Sequence, residues 1–145
     1  INNKLSSINW KPDLILASYH GIPKKYFDKG DPYHCYCHKT TRLITEKFKE
    51  IPIKTTFQSR FGPQEWLQPY TDKTIEKLPQ EGTKNILVIS PGFSSDCVET
   101  LEEISIQAKE TFLKSGGINF DMVPCLNDSD DHIKLLKYLI TKKNL

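Results

Sequence analysis

Four short apolar runs, rich in residues that favour β-strands, alternate with four longer amphipathic stretches along this sequence. The predicted strands are 13–19 (DLILASY), 53–59 (IKTTFQS), 85–90 (NILVIS) and 118–123 (INFDMV). The first and third runs are almost continuously apolar, which is typical of strands buried on both faces of a parallel sheet. The alternation therefore predicts an α/β domain built on a four-stranded parallel sheet with flanking helices.

The stretches between these runs carry apolar residues at helical spacing, with signals that begin and end helices. The predicted helices are 40–49, 71–78, 96–114 and 130–141. One face of the third helix consists of Leu101, Ile104, Ala108 and Phe112. The apolar stripe of the last helix consists of Ile133, Leu136, Leu139 and Ile140. Each stripe predicts a helix that packs against the sheet.

Charge, hydropathy and cysteine content exclude several classes of function. The net charge of +2 comes from interspersed lysines and acids. The sequence therefore contains no basic patch of the kind that would predict nucleic-acid binding. No apolar run reaches the ~18 residues of a membrane-spanning helix, and no signal peptide is visible. The four cysteines are expected to be free thiols in a reducing compartment. We therefore expect a cytoplasmic domain, residues 13–145, preceded by a connector, residues 1–12, from an upstream part of the protein.

The loops that follow the first three strands are the expected place for chemistry, because parallel sheets bind ligands beyond the carboxyl ends of their strands. His20 ends the first strand, and Glu99 lies in the first turn of the third helix. A hydrogen-bonded structural histidine and a carboxylate that suits the helix dipole are the plainer interpretations. Together the two residues would suit a divalent metal or proton transfer. Glu99, Glu103 and Gln107 form a polar row, which spacing alone favours as a solvated helix face.

The segment His34-Cys35-Tyr36-Cys37-His38 packs four potential metal ligands into five residues. Neighbouring residues cannot all reach one ion without strain, and no second pair lies at zinc-finger spacing, so a dedicated site is disfavoured. The sequence also lacks the glycine-rich fingerprints of dinucleotide-binding and P-loop proteins. The residues alone therefore predict a binding edge with histidine, carboxylate and aromatic groups, but they name no substrate.

The loop sequences, however, resemble the ferrochelatase family, in order and at matching spacing from about Asp13 to Tyr138. The segments that carry this resemblance are 18–23 (SYHGIP), 29–33 (KGDPY), 57–62 (FQSRFG), 66–71 (WLQPYT), 91–103 (PGFSSDCVETLEE) and 124–127 (PCLN). The first two segments form one block and the next two another, so the six segments make four blocks, and four blocks in register make a highly specific match. The resemblance implies a chelatase-like fold of two similar α/β domains, of which this chain is the second, carboxyl-terminal one.

The resemblance also implies a reaction, in which ferrous iron enters protoporphyrin IX and two pyrrole protons leave. It implies that His20 takes a porphyrin proton or ligates the metal, with Glu99 as its carboxylate partner and Glu103 extending a metal or proton path. The residues implied to line or support the porphyrin cleft are Trp66, Phe93 and Asp96. We expect porphyrin and ferrous iron as partners, iron being a substrate and no permanent cofactor.

Two departures from the family pattern shape the remaining expectations. The first domain, which supplies the facing wall of the cleft, is absent, so we expect this half to be inactive alone. We expect any peripheral membrane contact to come through the other half. The cysteine-bearing tail of some members is also absent, so no iron–sulphur cluster is expected. Two alternatives stay open: a non-catalytic metal- or tetrapyrrole-binding module, and a related chelatase that uses coproporphyrin or another metal.

Overall fold

The predicted four-stranded parallel sheet is confirmed by the computed structural model, which describes residues 1–142. Its strands are β1 (Leu14–His20), β2 (Ile53–Gln58), β3 (Asn85–Ile89) and β4 (Asn119–Met122). The strand order is β2-β1-β3-β4, and every neighbouring pair is parallel. The register places His20 opposite Gln58 and Ala17 opposite Ile89, so β1, β2 and β3 end along one edge.

One helix precedes β1, one follows β4, and the others lie in the connections between the strands. Their bounds are α1 (Asn2–Ser7), α2 (Lys24–Asp28), α3 (Tyr33–Thr45), α4 (Thr71–Lys77), α5 (Val98–Leu101), a π-helical segment (Glu103–Ala108), α6 (Lys109–Lys114) and α7 (Asp130–Thr141). The predicted start of α3 was seven residues too late. The Asp31 carboxylate accepts the backbone N–H of Tyr33 at 2.9 Å and starts the helix there, before the apolar stripe begins.

The amino-terminal segment, where we expect a connector, contains α1. Ile1 and Leu5 pack against buried core residues, and Lys4 forms a 2.7 Å ion pair with Asp121 of β4. These contacts tie the segment to the domain on one side of the sheet. The division of the chain at residue 12 stays a prediction.

The core lies on both faces of the sheet, as the continuous apolar runs predict. Leu14 and Leu16 point to one face and Ile15 and Ala17 to the other, because side chains alternate along a strand. The first face packs against α4, the π-helical segment and α6, and the second against α1 and α3. Burial of each Leu or Ile stabilises the fold by about 1.5–3 kcal/mol. The strands therefore form a rigid base for the loops at their ends.

The single helix predicted over 96–114 is divided into three segments. Its middle is π-helical, and the backbone N–H of Gln107 bonds the carbonyl of Glu102 five residues earlier, at 3.0 Å. Ile104 and Phe112 remain buried as predicted, but Leu101 is half exposed. The wider turn shifts the register between the start and the end of the helix, so a single 3.6-residue stripe does not describe its buried face.

The last predicted helix, α7, has the expected bounds, but its apolar stripe does not pack against the sheet. The exposed stripe residues are Ile133, Leu136, Leu139 and Ile140. Of the described residues in α7, only His132 is buried, and its Nδ1 lies 2.6 Å from the carbonyl oxygen of Asn127. Across residues 1–142, no helix has the length and apolar character needed to span a bilayer. The four cysteines, all in this described part, are free thiols as predicted.

Candidate functional site at the carboxyl edge of the sheet

His20 ends β1 in a turn that three hydrogen bonds hold in place. The N–H of Gly21 bonds the carbonyl of Gln58 at 2.8 Å, and the Tyr33 hydroxyl bonds the carbonyl of His20 at 2.8 Å. The third bond joins His20 Nδ1 to the carbonyl oxygen of Gly21 at 2.7 Å. A carbonyl oxygen only accepts, so Nδ1 must donate. The neutral ring then has an unprotonated Nε2, which can accept a proton or bind a metal.

The turn after His20 needs a glycine because backbone and indole approach it closely. A Cβ at Gly21 would lie 3.0 Å from the Gln58 carbonyl oxygen and 3.3 Å from Cε3 of Trp66. Trp66 itself is buried, and its Nε1 donates to the carbonyl of Phe61 at 2.9 Å. The structure thus places Trp66 behind the His20 turn, where it supports the edge and exposes little surface.

Phe93 and Glu99 approach His20 from the loop after β3. The ring of Phe93 lies 6.2 Å from the ring of His20, centroid to centroid, at a tilt of 48°. Hydrogen bonds from the Cys97 thiol and from its own backbone N–H lower the pKa of Glu99, and His20 adds to the effect. Glu99 is therefore an anion at neutral pH, and the imidazole of His20 lies within range of its charge. A histidine, a carboxylate and an aromatic ring therefore lie at this edge, and their catalytic and binding roles stay a prediction.

Asp96 organises the start of α5. Its carboxylate accepts hydrogen bonds from Asn127 Nδ2 at 2.8 Å, Thr100 Oγ1 at 3.0 Å and the Cys125 N–H at 3.2 Å. Burial raises the pKa of this carboxyl, but the bonds from Asn127, Cys125 and Thr100 outweigh it and lower the pKa overall. These bonds tie the loop after β3 to the loop after β4, and so fix the helix turn that carries Glu99.

Gln58, which sequence reasoning passed over, links both halves of this edge. Its side chain is 3% exposed, and its Oε1 accepts a hydrogen bond from Ser18 Oγ at 2.8 Å. Its Nε2 donates to the backbone carbonyl of Glu99 at 2.7 Å. One buried amide therefore sets the distance between β1 and α5. The sequence did offer one signal, because a polar residue at the end of an otherwise buried strand must find hydrogen-bond partners.

Glu103 faces β2 and is engaged by Ser59. Its carboxylate accepts the Ser59 backbone N–H at 2.7 Å and the Ser59 hydroxyl at 2.5 Å. Ser59 has φ +62°, the left-handed region that a non-glycine residue seldom adopts without support. Glu103 and Ser59 lie at one side of an open cavity of about 280 Å³, which Arg60 and Gln107 also line. Glu103 thus anchors the loop after β2.

No metal-binding cluster of three or more His, Cys, Asp or Glu side chains occurs within residues 1–142. The described residues therefore form no enclosed metal site at this edge.

Comparison with known proteins identifies the origin of this arrangement. A family model described as ferrochelatase matches residues 1–144. The chain belongs to the ferrochelatase family. A ferrochelatase of Rhizobium etli strain CFN 42 is 57% identical over 99% of this chain and 42% of the relative's length. A ferrochelatase of Rhizobium meliloti strain 1021 is 55% identical over 99% of this chain and 43% of the relative's length. A ferrochelatase of Agrobacterium fabrum strain C58 is 52% identical over 99% of this chain and 42% of that relative's length.

The chain thus spans about 42% of the length of the curated relatives it matches. The family match begins at residue 1 and includes α1. His20 and Glu99 lie together at the edge that the family resemblance points to, and Phe93 lies against His20. Trp66 and Asp96 lie in supporting positions around that edge, and Glu103 is turned toward Ser59.

Proposed function

We propose that this chain is the carboxyl-terminal half of an enzyme that inserts ferrous iron into protoporphyrin IX, releasing two pyrrole protons and forming protohaem. The observation that carries the proposal is the open Nε2 of His20 beside the Glu99 carboxylate, in a chain of the ferrochelatase family. The enzyme is then a lyase of haem biosynthesis. Iron is a substrate in this reaction, not a resident cofactor.

The chemistry of insertion needs a proton acceptor and a weak hold on the metal. The Nε2 of His20 accepts a proton from a pyrrole nitrogen, since the Nδ1–H is already committed to the Gly21 carbonyl. Glu99 stays anionic and balances either the imidazolium or the arriving cation. Oxygen and nitrogen ligands bind ferrous iron without trapping it as thiolates would. Phe93 offers an apolar face against which a flat macrocycle can lie.

The supporting residues have separate tasks in this scheme. Asp96 and Gln58 fix the helix turn that carries Glu99, and Trp66 fixes the turn that carries His20. Glu103 extends the polar row along the π-helical segment, as a path for metal or protons, while it also holds Ser59. The partner of this edge is the facing domain of the longer protein, whose length the curated relatives indicate.

The direct test is His20→Ala in the intact protein. We expect insertion to fall by roughly 10²–10⁴-fold, the range for loss of a general base. The measurement follows porphyrin fluorescence as Zn²⁺ or, without oxygen, Fe²⁺ enters the ring, with circular dichroism to confirm folding. An insertion rate close to that of the unchanged protein would remove His20 from the mechanism.

A second test uses the 145-residue chain by itself. Because it carries one wall of the cleft, we expect little or no metal insertion from it, and efficient turnover would contradict the half-site proposal. Choice of porphyrin and metal then depends on the other half, so the coproporphyrin alternative is tested by comparing coproporphyrin with protoporphyrin IX in the assay on the intact protein. A cytoplasmic location, peripheral membrane contact through the other half, and the lack of an iron–sulphur cluster are further parts of the proposal.

A further inference from the structure

His34 and His38 lie one helical turn apart on α3, with ring centroids 4.4 Å apart and an interplanar angle of 52°. Residues at this spacing project from the same face of a helix. Two histidines at positions i and i+4 of a helix can bind one zinc ion. With metal–nitrogen bonds of about 2.0–2.1 Å, neighbouring rings need only a modest rotation to share an ion. The helix therefore presents two imidazoles as a chelating pair.

The nitrogens of these two rings are uncommitted, which separates them from the other two histidines. His20 Nδ1 bonds the Gly21 carbonyl, and His132 Nδ1 bonds the Asn127 carbonyl, at 2.7 and 2.6 Å. Among the hydrogen bonds and ion pairs of residues 1–142, none involves a ring nitrogen of His34 or His38. Their lone pairs are therefore available to a ligand. His38 is exposed and His34 is partly exposed, so an ion can reach them from solvent.

Aromatic packing holds the pair in place. The ring of His34 stacks on the buried ring of Phe57 at 5.7 Å and 19°, and lies 4.8 Å from the ring of Phe27. His38 lies 6.3 Å from Phe57. Burial and the facing His38 lower the pKa of His34, which keeps its ring neutral, as a metal ligand must be. The two histidine side chains therefore lose less conformational entropy when an ion binds.

The neighbouring thiols do not supply an obvious third ligand. Cys37 is buried, and burial raises its pKa to about 11, so it stays protonated near neutral pH. Cys35 is exposed, but it follows His34 directly and so projects from another face of α3. The described residues contain no metal-binding group of three such side chains. The remaining positions of a bound ion would hold water.

We propose that His34 and His38 form a two-imidazole surface site for a borderline divalent transition metal, of which Zn²⁺ is the probe. Imidazole suits zinc, copper, nickel and iron, and it discriminates against magnesium and calcium. The site is separate from His20 and does not rest on the proposed chelatase reaction. An ion held here by two residues and water would exchange readily with solvent.

The test titrates Zn²⁺ into the 145-residue chain carrying His20→Ala, by calorimetry in a buffer that does not bind metal. We expect one site in this background. His34→Phe, which keeps the aromatic packing, and His38→Gln should each weaken Zn²⁺ binding at least tenfold, and the double variant should abolish it. Lys39→Ala, an exposed change on the same helix, should leave binding unaltered. Circular dichroism confirms that each variant folds.

Unchanged Zn²⁺ affinity in the double variant would overturn the proposal. Loss of binding in Cys35→Ser, with the histidine variants unaffected, would overturn it too, because a thiol would then be the ligand. A second readout is the electron paramagnetic resonance spectrum of bound Cu²⁺, which should show coupling to two nitrogens that is lost in His34→Phe. Since His20 is absent throughout, failure of the chelatase proposal would not alter these results.

Discussion

The hydroxyl of Tyr33 donates a hydrogen bond of 2.8 Å to the backbone carbonyl of His20. Tyr33 is the first residue of α3, and burial is the main cause that raises its pKa, so the phenol stays protonated and remains a donor. The bond joins a helix start to the strand end that carries the candidate base. It makes the orientation of the His20 turn depend on α3.

Removal of the Tyr33 hydroxyl should lower both the stability of the fold and the rate of metal insertion. We expect Tyr33→Phe to lower the free energy of unfolding by about 1 kcal/mol, because the His20 carbonyl loses its partner in a partly buried position. In the intact protein, metal insertion should slow as well. Urea unfolding and porphyrin fluorescence measure the two effects. Tyr36→Phe is the matched control, since Tyr36 is 61% exposed on the same helix, and equal effects from both variants would contradict the prediction.

Loss of the Gln58 amide should weaken both the fold and the site. Gln58→Leu keeps the approximate volume but removes the donor to the Glu99 carbonyl and one of the two partners of Ser18, which keeps Thr71, at a cost of about 1–3 kcal/mol. Chemical denaturation measures this loss, and Gln64→Leu, at an exposed position, is the control. If both variants unfold at the same midpoint, Gln58 does not have the linking role that we assign to it.

Two glycines at the same edge should differ in their tolerance of a methyl group. A Cβ at Gly21 would meet the Gln58 carbonyl oxygen at 3.0 Å, whereas a Cβ at Gly92 would meet a ring carbon of Tyr19 at 3.4 Å, an ordinary contact. We expect Gly21→Ala to destabilise the chain by about 1–3 kcal/mol through overpacking, and Gly92→Ala to change stability little. Thermal unfolding of the two variants measures the difference, and a stable Gly21→Ala variant would show that the backbone at Gln58 and the Trp66 ring can both move aside.

The stability contribution of Asp96 should depend on pH in a defined direction. Although burial opposes the shift, bonds from Asn127, Cys125 and Thr100 lower the folded-state pKa of Asp96 below the ordinary value of 3.8. Its contribution is therefore complete above that value and is lost as the pH falls through the folded-state pKa. We expect Asp96→Asn to cost about 1 kcal/mol at neutral pH, a modest figure because the group is partly exposed.

The difference in unfolding free energy between Asp96→Asn and the unchanged chain should shrink as the pH falls from about 5 toward 2. Urea titrations at several pH values measure this trend. Asp128→Asn, at an exposed position in the loop before α7, is the control variant. A difference that stayed constant across the whole range would mean that the bonds to Asp96 do not depend on its charge.

Much of the fold could be predicted from periodicity, because apolar runs report burial directly. The strands near Leu14 and Ile86 were placed within one or two residues, and α7 was placed at its observed bounds. Short polar helices gave no such signal. The helix Lys24–Asp28 was missed because its residues form no apolar stripe, and α3 was predicted too late because an aspartate starts it before the stripe begins.

The candidate site was found in the sequence to the extent that strand ends and helix starts locate it. His20 and Glu99 were expected at one edge, and the structure places the end of β1 and the start of α5 there, linked through Gln58. The role of Gln58 could not be read from spacing, because its partners Ser18 and Glu99 lie 40 and 41 residues away along the chain. The contact of Glu103 with Ser59 was equally invisible, since it crosses from the π-helical segment to the loop after β2.

The sequence by itself determined which strands are buried and which loops reach the carboxyl edge, because hydrophobic periodicity and strand direction are local properties of the chain. The tertiary structure alone decided how the polar groups at that edge are paired. The ring of His20 takes its orientation from the Gly21 carbonyl and its turn from Tyr33, while Glu99 takes its place from Gln58. A buried polar group must find a partner, and the partner is fixed only when distant segments pack together.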